Sequence, residues 1–331
     1  MKKLLEFDMA LKKNAFQIAA LVISLVFPII IPIKYLIHIL TISWIWGLAA
    51  MGWNICFGYA GLLSFGHTAF FGIGAYATVF LILFFDITPW LGIFIASALS
   101  AAFGIAITWL TARAKGVYFA LATSAIPNVL MVLFTWNYQL TGGSLGLTIP
   151  YHGESLYHMQ FDSILPYYYI ALALLLLTIM FMKKFDRSKI GYYLKAIGAE
   201  EDAAKSIGVD AFRTRIIGMG ISSFITGLAG GIFVNFMHFI DPMEAFGWTM
   251  NLQIVLSAIF GGVGTIFGPV IGSLAIVPLS EIVKLFLEEH LRGIHLAIYG
   301  IILMLAVLIM PKGIYPKISK VVKIKSEVEG G

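Results

Sequence analysis

Apolar residues run through this chain in long blocks divided by short polar or glycine-rich punctuation. The blocks fall at 15–33, 36–57, 62–85, 90–112, 117–136, 165–183, 213–237, 248–262, 268–287 and 293–311. A bilayer hydrocarbon core about 30 Å thick takes roughly twenty helical residues, so the pattern predicts ten membrane spans. Backbone polar groups in lipid must be satisfied within the segment, which selects helices. The expected fold is an all-α polytopic integral membrane protein, one transmembrane domain over 1–331, with some spans short or broken by glycine. Lys2, Lys3, Lys12 and Lys13 ahead of an apolar run resemble a signal peptide. That run is long enough to span and no small-residue cleavage site follows it, so a retained first helix is expected.

One stretch breaks the pattern. Residues 183–215 carry eight Lys or Arg and five acids between nearly uncharged blocks. Their core, Gly191 to Gly208, reads as one or two short helices rather than a plain connector. Charge then sets the orientation, because cytoplasmic loops are enriched in Lys and Arg. With both termini inside, segments 1–13, 113–115, 184–212 and 312–331, with the adjoining span ends, hold 19 of the 22 basic residues. The outer loop 137–164 has no Lys or Arg, but has Glu154 and Asp162. An odd number of spans would strand one terminal basic cluster outside.

Composition agrees. The chain is 60% hydrophobic and 12% charged with mean hydropathy +0.93, against about 25% charged in soluble domains. Its net charge of +5 is explained by the ends of apolar segments, not by nucleic acid. Cys56, the single cysteine, can form no intrachain disulfide. Several chemistries find no support. The span centres hold no Asp, Glu, Lys or Arg, the usual mark of proton or ion relays. No Gly-Lys pair occurs, so there is no P-loop for ATP phosphates. The seven histidines are scattered, which offers no metal cluster. The chain is not expected to be an enzyme or to bind a cofactor itself.

Glycine marks the candidate functional segments. Residues 58–76 and 261–272 are glycine-rich within apolar sequence. Helix breaks at membrane depth are tolerated only where protein or a water-filled cavity surrounds them. Pathway or helix-break candidates are therefore Asn54, Gly61, Ser64, Gly66, His67, Gly72, Gly74, Gly261, Gly262, Gly264 and Gly268. For His67 the plain expectation is a neutral ring bonded to a nearby backbone carbonyl, fixing a helix start; substrate contact is the alternative. Asn54, Asn128, Asn235, Asn251 and Gln253 read first as amide bonds between helices.

The block Asn54, Gly58, Gly61-Leu-Leu-Ser64, Gly66-His67, Phe70, Gly72, Gly74-Ala-Tyr76 resembles the signature of LivM-type permeases. Further matches follow in order: Gly116-Val-Tyr-Phe-Ala120, Thr141-Gly-Gly143, Gly227-Leu-Ala-Gly230, Pro242, Gly261-Gly-Val-Gly264-Thr265, Gly268-Pro269 and Pro311-Lys-Gly313. The resemblance implies a membrane subunit of an ATP-binding-cassette importer for leucine, isoleucine and valine. It implies as partners a second, similar permease, two cytoplasmic ATPases that carry ATP and Mg, and an extracytoplasmic substrate-binding protein. That protein would dock on loop 137–164 and Asp241-Pro242. Similar permeases carry urea or short amides, and an ATP-independent secondary transporter or a channel is the remaining rival. Such importers dock their ATPase on a Glu-Ala-Ala-x-x-x-Gly loop. Asp202-Ala203-Ala204-Lys-Ser-Ile207-Gly208 fits with Asp in place of Glu, but the usual downstream tail is replaced by Gly218-Met-Gly-Ile221. Ala203, Ala204 and Ile207 are expected on one helix face, Asp202 near its start and Gly208 at its close. An amphipathic helix on the bilayer surface, supported by Lys195 and Lys205, is the alternative for this loop.

Overall fold

A computed structural model describes residues 21–111, 116–287, 300, 304 and 313–316. A short apolar helix α1 (Leu21–Ile30) leads into α2 (Lys34–Asn54), which continues as a π-helical turn over Ile55–Tyr59. The chain then unwinds and restarts as α3 (His67–Phe85), followed by α4 (Pro89–Thr111) and α5 (Val117–Trp136). A one-turn helix α6 (Tyr138–Thr141) opens a folded loop that leads to α7 (Leu165–Asp186). Two short helices, α8 (Lys189–Ala199) and α9 (Glu201–Ser206), precede the long α10 (Ala211–Met237). The one-turn α11 (Pro242–Phe246), then α12 (Trp248–Gly261) and α13 (Gly268–Leu287), follow.

Six of these helices are long and apolar enough to cross a membrane: Lys34–Tyr59, α3, α4, α5, α7 and α10. Six spans are thus shown among the described residues, and the expected ten are not confirmed. The 62–85 block starts only at His67, because its first five residues are not helical. The 248–262 block forms a 14-residue helix, about 21 Å long at 1.5 Å per residue and too short to cross alone. The 268–287 block forms α13 over its full length, with Pro278 inside it. Of the 15–33 block only Leu21–Ile30 is a described helix. Block 293–311 lies outside the described residues apart from 300 and 304, as do 1–13, 113–115 and most of the 312–331 tail.

The core lies along α2 and α10, each with 78% of its apolar window buried. Lipid offers no hydrophobic drive between helices, so close packing must hold them together. Small residues permit it. A Cβ on Gly74 of α3 would lie 2.3 Å from the carbonyl oxygen of Gly227 on α10, and one on Gly52 would lie 2.7 Å from that of Ser222. Large rings fill the rest, with Trp46 stacked on Phe71 at 5.4 Å between centroids. The loop between α6 and α7 is tied down at both ends. Its strand β1 (Leu147–Thr148) pairs antiparallel with β2 (Phe239–Ile240), beside Asp241-Pro242. Thr88 and Trp90, at the start of α4, donate to the carbonyls of Tyr157 and Leu156.

Candidate functional site

The unwound stretch after Tyr59 is sequence-apolar, so its peptide groups must find partners away from water. They are supplied by side chains from three other places in the fold. Trp53 Nε1 donates to the Ser64 carbonyl at 2.7 Å, Asn251 Nδ2 of α12 donates to the Phe65 carbonyl at 2.5 Å, and Phe65 N donates to Thr123 Oγ1 of α5 at 3.2 Å. Gly61 adopts φ +68°, a turn that side-chain-bearing residues resist.

His67 opens α3 fully buried. Ser222 donates to the Gly52 carbonyl at 2.6 Å, so its oxygen accepts from His67 Nε2–H at 2.9 Å, while Nδ1 faces Ser64 Oγ at 3.2 Å. Both ring nitrogens are thus occupied by serine hydroxyls. The expected backbone-carbonyl partner is corrected: the histidine links α3 to α10, and only the serine passes the connection on to the α2 backbone.

Asn54 joins the second glycine segment to the first. Its Oδ1 accepts from Gly264 N at 2.8 Å and its Nδ2 donates to the Thr265 carbonyl at 2.9 Å, which fixes the loop between α12 and α13. Gly58 allows the approach, since a Cβ there would lie 2.6 Å from Gly264 N. Gly261 and Gly268 let α12 and α13 cross with backbones nearly touching, and Gly262 is packed against Gly313. So Asn54, Gly61, Ser64, Gly66, His67, Gly261, Gly262, Gly264 and Gly268 surround two neighbouring breaks. Gly72 and Gly74 do not. Both lie inside regular α3, where Gly72 makes room for the Phe246 ring and Gly74 for α10. They are close-packing positions, not breaks.

The polar island folds as α8 and α9. Ser188 caps α8 by accepting from Gly191 N at 3.2 Å. At the other end of the island Gly208, at φ +84°, closes α9: its N donates to the Lys205 carbonyl and Val209 N to the Ala204 carbonyl. This pair of bonds is the helix-ending motif that brings the last apolar residue back onto the helix. Ala204 and Val209 accordingly share a small core with Ile197 and Ala211. The expected common face of Ala203, Ala204 and Ile207 is therefore corrected. Ala204 is 3% exposed, whereas Asp202 and Ala203 face outward and Ile207 is 79% exposed. The helix stops at Ser206, so helical spacing no longer places Ile207.

The acid that fastens α9 is Glu201. It meets Lys205 at 2.7 Å and the nearly buried Arg215 of α10 at 2.9 Å. Hydrogen bonding from Lys205, then from Arg215, holds its carboxyl down to about 2 against the opposing effect of burial. A depressed carboxylate contributes its stability above the unfolded pKa and loses it only as pH falls through the folded value. Amide exchange in α9, corrected for intrinsic rates, is thus expected to be as protected at pH 5 as at pH 7. Glu201→Gln should lose that protection at both.

The island touches the break directly. Gly198, at the end of α8, lies against Tyr59 and Gly61 so closely that a Cβ would be 2.3 Å from the Tyr59 carbonyl oxygen. Beside it the Tyr59 hydroxyl donates to Asp186 Oδ1 at 2.7 Å, and Lys195 Nζ reaches the same oxygen at 2.6 Å while lying over the Tyr59 ring. Sequence reasoning missed Tyr59, Asp186, Gly198, Glu201 and Arg215, and read Lys195 only as support for a surface helix. Only the Glu201–Lys205 spacing of four, a helical ion-pair signal, was there to be read.

A family model described as the permease component of the branched-chain amino acid transport system matches residues 35–309. The chain belongs to this permease family. It is 24% identical to the high-affinity branched-chain amino acid transport system permease protein LivM of Escherichia coli K12, over 97% of this chain and 79% of that protein. The corresponding LivH of Salmonella typhimurium is 23% identical over 85% of this chain and 95% of that protein. A probable branched-chain amino acid transport permease protein LivH of Methanocaldococcus jannaschii is 25% identical over 81% and 87%. No solved structure matches the chain. The permease is thus a multi-pass membrane protein, a transporter subunit rather than an enzyme.

Proposed function

We propose that this permease forms half of the membrane pathway of an ATP-driven importer for branched-chain amino acids. A second permease of the same family completes the pathway, and two cytoplasmic ATPases bearing ATP and Mg drive it. Helices α8 and α9, within a stretch 183–215 that holds eight basic residues, face the cytoplasm by the positive-inside bias and receive one ATPase. The loop over 137–164, pinned to β2 next to Asp241-Pro242, faces outward and receives the substrate-binding protein. The single observation that carries the coupling is Gly198 seated on the Tyr59–Gly61 backbone. A push on α9 reaches α8 through the shared core with Ile197, the Glu201–Arg215 pair ties α9 to α10, and α8 bears on the point where the α2–α3 connection leaves helical geometry. Nucleotide-driven movement of that point switches the pathway between its inward-open and outward-open states.

The test is uptake into proteoliposomes holding this chain with its partner permease, ATPases and binding protein. Leucine, isoleucine and valine are expected to accumulate with ATP inside and not without it. Uptake of urea or short amides in their place would reassign the substrate. Accumulation driven by an ion gradient without ATP would overturn the importer.

A further inference from the structure

Helix α5 is the least covered of the six spans. Only 22% of its apolar window is buried, against 78% for α2 and α10. Much of its open surface is what lipid or a neighbouring helix requires, with Ala125, Val129, Val132 and Leu133 exposed. Another edge differs. Ser124, Asn128 and Thr135 are spaced four and seven apart, which places them on one stripe of a helix with the exposed Val117 and Leu121 toward its start, and Asn128 is exposed. The Asn128 amide makes one bond among the described residues, from Nδ2 to the Ser124 carbonyl of its own helix at 3.2 Å. Its carbonyl oxygen and its second N–H have no partner among the described residues. By the rise of an α-helix Asn128 lies about 16 Å along a span of about 30 Å, close to the bilayer midplane, where an amide facing hydrocarbon is costly.

The break meets α5 at Thr123, five residues before Asn128. Pro127 has no N–H to give the Thr123 carbonyl four residues back. Gly66 takes up the place beside that carbonyl, and a Cβ there would lie 2.6 Å from its oxygen. Thr123 Oγ1 at the same time accepts from Phe65 N. A proline within the span, non-helical backbone against Thr123 and an exposed amide at Asn128 therefore follow one another within about 8 Å of depth along α5. Non-helical backbone at that depth is found where protein buries it or a water-filled cavity adjoins it, and discontinuous helices at the midplane are where transported solutes bind.

Resting on the importer reading above, we infer that the solute path runs along the Ser124–Asn128–Thr135 edge of α5, and that Asn128 is the side chain that meets the solute at the midplane. The solute class suits the amide. A zwitterionic amino acid presents an ammonium that donates and a carboxylate that accepts, and a neutral amide offers Oδ1 to one and Nδ2–H to the other without a charge that would hold the solute fast. The aliphatic neighbours on α5 are left for lipid or for the partner permease.

Cysteine accessibility tests this in the complete complex, where the native Cys56 is buried and gives little background. Asn128→Cys and Ser124→Cys are expected to react with a charged, water-soluble methanethiosulfonate in the nucleotide-free or the ATP-trapped state. Val129→Cys should react at least tenfold more slowly, and transported leucine should slow the reaction at Asn128→Cys at least fivefold. Asn128→Leu should lower uptake at least tenfold with the complex assembled, and Asn128→Gln should restore most of it. Asn128→Cys unreactive in both states, as expected if a partner helix seals this edge, would overturn the inference. So would equal reactivity at Val129→Cys, as would full uptake by Asn128→Leu. Uptake by the wild-type complex tests the importer reading on its own, and the labelling pattern locates the water path whatever solute is carried.

Discussion

Gly198→Val is expected to cut leucine uptake by the reconstituted complex about tenfold while the complex still assembles and hydrolyses ATP, because about 1.4 kcal/mol is a tenfold change in an equilibrium. The added side chain has no room. The first carbon beyond Cα would already lie 2.3 Å from the Tyr59 carbonyl oxygen and 3.1 Å from Gly61 N. These neighbours are backbone, so α8 itself must move away. Overpacking of this kind costs about 1–3 kcal/mol, enough to bias two pathway states against each other by the tenfold stated. The effect is expected on coupling more than on folding, because the clash is with the Tyr59–Gly61 backbone and the substitution removes no side chain from the small core of Ile197, Ala204, Val209 and Ala211. Uptake and phosphate release measured in the same vesicles give the ratio of amino acid carried per ATP. An unchanged ratio would show that the Gly198 contact does not transmit the stroke.

How far the sequence could be read depends on the range of the interactions involved. Spans such as α5 and α10 were legible almost to the residue, since helix length and apolar composition are local properties and the bilayer imposes both. The break at Gly61–Gly66 was legible only as a glycine-rich segment. Leu62, Leu63 and Phe65 are apolar and were counted into a span. What holds them out of a helix is a set of bonds from Trp53, Thr123 and Asn251, which lie 11, 58 and 186 residues away from their partners. No local pattern encodes such partners. The same holds for Asn54, whose two bonds to the α12–α13 loop cross more than two hundred residues. Gly72 and Gly74 looked like Gly61 in sequence and differ only in what lies opposite, the Phe246 ring and α10 in place of a turning backbone. The island was found by composition, but its faces were not. A six-residue helix ends before helical periodicity can sort its residues, and the Gly208 turn decides that Val209, not Ile207, joins Ala204.

That sorting changes which substitution probes the ATPase. Ala204 lies inside the island at 3% exposure, so a charge there would disrupt α9 itself and read as instability. Ile207 is the reverse case, a large aliphatic side chain 79% exposed next to outward-facing Ala203. Exposed apolar residues at the centre of a docking patch are where binding free energy concentrates, about 2 kcal/mol or more for an anchor. Ile207→Asp is therefore expected to weaken capture of the ATPase subunits about thirtyfold, a factor that follows from about 1.4 kcal/mol per decade. Membrane insertion and the thermal unfolding midpoint of the permease should be unchanged, because Ile207 packs in neither the main core nor the island core. Ala204→Asp should lower that midpoint as well as weaken capture. Retention of the ATPases by Ile207→Asp at wild-type affinity would move the docking surface off the end of α9 and onto the Lys195 face of α8.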